Sequence, residues 1–267
     1  MTAYRQGCGR QKGTLIKMAE LRFADVCMVY GDGIIALEHV SFNIRQGEFV
    51  FLIGRSGAGK STVLKLADAL ESPTSGEIYL DGVATGALPR TQLPYYRRKF
   101  GIMDSDVGLL EDRNILENVL LALKATGHYG KKAKETAWHA CGITGISNKA
   151  LFFPAQLSGG ERARAMLARA IVGSPRILLL DEPTANLDGE SSWDFMRLLN
   201  RLNQEVGMTV VATSHDHQMV SVMKKRVITL SAGRVVADER SAIYNMRAAD
   251  ILEERRVLNE RQNRAIR

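Results

Sequence analysis

A chain of 267 residues with 45% hydrophobic and 24% charged side chains has the length and balance of a globular protein with one large core or two joined lobes. No apolar run approaches the ~18 residues of a membrane helix, and three scattered cysteines (Cys8, Cys27, Cys141) make neither a disulfide framework nor a zinc pattern, so a reduced cytoplasmic setting is expected. The net charge of +7 sits in the tails: residues 1–19 hold four basic and no acidic groups, residues 240–267 hold seven basic and four acidic, and the neutral body gives no reason to expect a nucleic-acid partner.

Residues 1–19 lack periodicity and the apolar segment of a secretory signal, and read as a flexible basic extension. Residues 21–44 turn strand-like, with Val40, Phe42 and Ile44 alternating and Gly31-Asp-Gly marking a turn. Tyr30, just before that turn, suits either strand packing or stacking on a base. The run Phe-Val-Phe-Leu-Ile at 49–53 reads as a buried strand.

That strand opens onto Gly54-Arg55-Ser56-Gly57-Ala58-Gly59-Lys60-Ser61-Thr62, a phosphate-binding loop. Gly54, Gly57 and Gly59 free the backbone to turn successive N–H groups toward a phosphate. A helix then begins at Lys60, marked by Val63, Leu64, Ala67 and Leu70, and aims its positive dipole end at the same anion. Lys60 suits the outer phosphates and Ser61 a magnesium ion. The expected ligand is a nucleoside triphosphate.

Pro73 and Gly76 make a turn before a strand at 77–80. Residues 91–160 read as a helical lobe inserted into the α/β core. In it, Arg97-Arg98-Lys99 is a solvated face, residues 100–103 lead into a polar loop, and helices are expected at 115–126 and 131–141, the second closed by Gly142. Leu157-Ser158-Gly159-Gly160-Glu161 then opens another helix, with Ser158 as its cap and a second anion-binding end.

The apolar strand at 177–180 ends in Asp181 and Glu182. A carboxylate at the end of a buried strand suits magnesium, and its neighbour suits the orientation of an attacking water. A tight loop through Asp188 leads to a helix from Glu190 that ends near Gly207, and a strand at 209–213 precedes His215. A β-hairpin at 227–237 follows, and residues 240–267 read as a charged helix or tail.

In this order and at these separations the motifs resemble the nucleotide-binding domain of ABC transporters, over residues 21–238. The resemblance implies an α/β fold, a P-loop NTPase of ABC type spanning 20–239. It would have a mixed, mostly parallel core sheet, an antiparallel β subdomain and the helical lobe. It also implies a head-to-tail homodimer around two ATP molecules with Mg2+. Tyr30 would stack on the base, Lys60 would hold the outer phosphates, Glu182 would be the catalytic base and His215 the γ-phosphate sensor. Ser61 and Asp181 would hold the metal, Ser158 and Gly160 of one protomer would contact the γ-phosphate held by Lys60 of the other, and Gly159 and Asp188 would also bind nucleotide.

Residues 56–66, 93–102, 109–119 and 153–161 are most similar to the FtsE family of cell-division ATP-binding proteins. That similarity implies an FtsX-like integral membrane permease as partner and a peripheral place on the inner face of the cell membrane. The alternatives are the ATPase subunit of a lipoprotein- or macrolide-type exporter, and a weakly or non-hydrolysing, ATP-dependent interaction module. The last is motivated by Ser105, which stands where relatives carry a glutamine, and by Arg162-Ala-Arg after the signature glutamate.

Overall fold

The computed structural model describes residues 19–104 and 107–240. The expectations for the basic extension, for the C-terminal helix or tail, and for Ser105 lie outside those residues. The alternating apolar residues near the start form β1 (Ala19–Val29) and β2 (Ile35–Arg45), an antiparallel pair. Their inward residues include Phe23 and Phe42, whose rings stack with centroids 4.6 Å apart. β3 (Phe49–Ile53) leads through the phosphate loop into α1 (Lys60–Ala67). Then β4 (Ser75–Leu80) and the short β5 (Val83–Ala84) complete a four-stranded antiparallel sheet ordered β2-β1-β4-β5.

After α2 (Leu93–Arg97), β6 (Phe100–Met103) enters the second sheet, and α3 (Ile115–Ala125), α4 (Gly130–Thr144) and α5 (Gly159–Ile171) form the lobe. β7 (Ile177–Leu180), α6 (Gly189–Val206), β8 (Thr209–Thr213), α7 (His217–Met223), β9 (Arg226–Ser231) and β10 (Arg234–Glu239) close the chain. The second sheet runs β10-β9-β3-β8-β7-β6, parallel except for the β10–β9 hairpin.

β3, β7 and β8 are buried at every position because both faces of this sheet are covered. Along β3 the side chains alternate between two cores. Val50 and Leu52 face the core shared with the antiparallel sheet, while Phe49, Phe51 and Ile53 face the one shared with the helices.

Two expectations are corrected. Residues 100–103 are an edge strand of the parallel sheet, so the stretch 91–160 is not all helical lobe. Gly101 obscures this strand in the sequence, yet the fold requires it: a Cβ there would lie 2.5 Å from the Ala170 carbonyl oxygen. Gly142 lies inside α4, and the cap is Gly145, at φ 73°. Ala133, Ala137, Ala140, Cys141 and Thr144 continue one buried stripe past Gly142, so packing carries the helix a turn further. Among the described residues no helix is long and apolar enough to cross a membrane.

Candidate nucleotide-binding site

The phosphate loop has the shape its glycines predict. Gly54, Gly57 and Gly59 have φ of 149°, 77° and 98°, and Gly59 precedes the first turn of α1. Gly54 is also forced by packing, because a Cβ there would sit 2.2 Å from the Leu230 carbonyl oxygen. Ala58 is buried, Ser56 is exposed, and Ser61 is half-buried.

Lys60 is only 5% exposed and turns back over the loop. Its ammonium donates to the carbonyl oxygens of Gly54 at 2.9 Å and Arg55 at 3.1 Å, and lies 3.3 Å from His215 Nε2. Burial pulls its pKa below the usual lysine value, opposed by the nearby charges of Glu182 and Asp181. The loop therefore holds a largely buried cation against two of its own carbonyls, a charge that a polyphosphate would compensate.

The carboxylates come from the end of β7. Glu182 takes φ 45°, the left-handed region in which a non-glycine residue is strained. Its Oε1 lies 2.6 Å from His215 Nε2. The hydroxyl of Thr213 binds both acids: it donates to Asp181 Oδ1 at 2.6 Å and accepts from the Glu182 N–H at 2.7 Å. The Asp181 N–H donates to the Met103 carbonyl at 2.8 Å, so three adjacent strand ends fix one acidic corner. The role of Thr213 is not read from the sequence. Its signal is a polar residue ending an apolar strand, and it is fully buried.

Tyr30 is half-buried against the intersheet core, with its hydroxyl 3.4 Å from Thr62 Oγ1. It packs there just past the end of β1, beside the first turn of α1. Ser158 and Asp188 form a second group with their own helix starts. Ser158 caps α5 by accepting from the Glu161 N–H at 3.3 Å, and Glu161 returns the bond to the Ser158 N–H at 2.9 Å. Asp188 caps α6, accepting from the Ser191 N–H and hydroxyl at 2.8 and 2.7 Å, and those bonds lower its pKa. The two starts abut, since a Cβ on Gly159 would lie 2.9 Å from the Asn186 carbonyl and one on Gly160 would lie 3.2 Å from Ser191 Oγ.

Residues 37–185 match the family model described as ABC transporter. The chain belongs to the ABC transporter family. Among its relatives are the cell division ATP-binding proteins FtsE of Bacillus subtilis, 38% identical over 84% of this chain and 98% of that protein, and of Mycobacterium tuberculosis, 42% identical over 79% and 91%. The Escherichia coli FtsE is 40% identical over 80% of this chain and 96% of its own. The ATP-binding cassette MJ0796, in a dimeric post-hydrolysis state bound to ADP and Pi, matches with a TM-score of 0.76 at 34% identity, covering 84% of this chain and all of that one. Within this ABC cassette the candidate residues fall into two spatial groups: Lys60, Asp181, Glu182 and His215 in one, and Ser158 to Gly160 with Asp188 in the other.

Proposed function

We propose that the chain is the ATPase subunit of an FtsE-type complex, hydrolysing ATP and passing the resulting motion to an integral membrane partner. The observation that carries the reading is the Lys60–His215–Glu182 contact set at the ends of α1, β7 and β8. Lys60 and the N–H groups of the loop hold the outer phosphates. Glu182 orients and polarises the attacking water, and His215, already within reach of both, senses the γ-phosphate.

Ser61, next to Lys60, and Asp181, next to Glu182, line one cleft together and offer the hard oxygen donors that Mg2+ prefers. Bound there, the ion would neutralise charge on the phosphates. Thr213 keeps the Asp181 carboxylate oriented through Oδ1. Tyr30 offers its ring to the base.

The second group of site residues lies on another pair of helix starts, and the dimeric MJ0796 cassette supports giving it to a neighbour's nucleotide. In that head-to-tail homodimer Ser158 and Gly160 of one protomer meet the γ-phosphate held by Lys60 of the other. The cleft of about 1070 Å³ that contains Ser61 and Asp181 is also lined by Leu70, Arg97, Tyr129 and Lys132. Its mixed apolar and basic wall suits a helix of an FtsX-like permease, which would hold the chain peripherally on the inner face of the membrane.

The test is steady-state hydrolysis with and without the permease. Glu182→Gln is expected to lower kcat by about 10²–10⁴-fold, the range for loss of a general base, while ATP binding persists. Full activity in that variant would remove the assignment of Glu182. An inactive parent chain that still dimerises on ATP would favour the interaction module that Ser105 motivates.

A further inference from the structure

Helix α5 carries a different device at each end. Ser158 caps its start. Near its other end, Arg169 donates Nη1 to the Gly108 carbonyl at 2.8 Å and Nη2 to the Val107 carbonyl at 2.7 Å. These are consecutive carbonyls in the loop joining β6 to α3. The planar guanidinium fits such a pair because its donors diverge in a fixed fork, which a lysine lacks. Both partners are backbone dipoles, and burial lowers the pKa of Arg169.

Two further contacts bind α5 to the same region. Arg162 pairs with Glu111 of the loop at 3.1 Å. Gly101 of β6 lets the last turn of α5 lie against the strand backbone, since a Cβ would meet the Ala170 carbonyl at 2.5 Å. The remainder of the loop is fixed by Asn118, fully buried on α3, which accepts from the Leu110 N–H and donates to the carbonyls of Leu110, Arg113 and Asn114. Val107 lines the cleft that also contains Ser61 and Asp181. At about 1.5 Å rise per residue, Ser158 and Arg169 stand about 16 Å apart on one rigid helix.

We propose that Arg169 is a positioning residue that couples the two nucleotide sites of the dimer. Through α5 it ties Ser158, at the partner's γ-phosphate, to the loop 107–113, whose Val107 lines the cleft that holds the protomer's own Ser61 and Asp181. The inference rests on the head-to-tail dimer proposed above. Its link is made to main-chain carbonyls, so it does not depend on which side chain stands at position 105.

Hydrogen exchange on the full chain carrying Glu182→Gln, with and without Mg-ATP, tests this. ATP is expected to slow exchange at both 158–161 and 107–113. Adding Arg169→Lys, or Arg169→Gln as a second variant, should leave the slowing at 158–161 intact. The ATP-dependent slowing at 107–113 should fall about fivefold, the worth of one lost hydrogen bond. A purely structural arginine would raise exchange at 107–113 equally with and without ATP, leaving the ratio unchanged, and that result in both variants overturns the coupling alone. ATP bound at Lys60 with no slowing at 158–161 in the Glu182→Gln chain overturns the dimer, and the coupling with it.

Discussion

Thr213 sits at the smallest scale on which the site is decided. One hydroxyl satisfies the Glu182 N–H and orients Asp181, in a position with no access to water. Thr213→Val keeps the shape and β-branching but leaves that N–H unpaired, which costs about 1–3 kcal/mol in a buried setting. Expected is a stability loss of that size by denaturant titration and a fall of about tenfold in kcat for ATP hydrolysis, with ATP affinity nearly unchanged. A variant that hydrolyses at the parent rate would show that the strand end holds the two acids without it. Single residues of this kind divide by legibility. Lys60, Asp181 and Glu182 stand out as candidates because phosphate and metal chemistry restricts which residue types serve, whereas the role of His215 comes only through the family resemblance. Thr213 does not stand out, because a threonine in a strand is ordinary and its partners lie about thirty positions away.

At the scale of elements, legibility follows burial. The strands buried on both faces, β3, β7 and β8, are plain in the sequence, and so are helices with strong caps such as α5. β6 is masked because its four residues include the glycine that lets α5 approach. The end of α4 is masked because Gly142 imitates a cap that the buried stripe overrides. That stripe contains Cys141, whose thiol burial pushes up to about 11 from 9.0. The folded state thus favours the protonated thiol. Its stabilising contribution is whole below pH 9 and is lost as pH rises toward 11. Cys141→Ala should therefore destabilise the chain by a margin that shrinks between those two pH values. Urea unfolding midpoints at a series of pH values would measure it, and a margin independent of pH would show the thiol titrating freely in the fold.

At the scale of the whole molecule the question is which protomer completes which site. The sequence makes two anion-binding helix starts readable in one chain, α1 after Gly59 and α5 after Ser158, but not the division of labour between them. A mixed dimer decides it. A chain with Lys60→Ala cannot hold the outer phosphates, and one with Ser158→Arg presents a bulky cation where a neighbour's γ-phosphate should sit. Each should be inactive alone. In the proposed head-to-tail pair, both defects fall on the same site of a mixed dimer and the other site is untouched. Random pairing makes half the dimers mixed, so mixing the two dead chains should restore about a quarter of the parent ATPase rate if the sites fire independently. Any shortfall below that measures how far one site needs the other, and it should shrink when both chains also carry Arg169→Lys. No recovery in either background would mean that Ser158 serves its own protomer's nucleotide, and that the second helix start belongs to the site of Lys60.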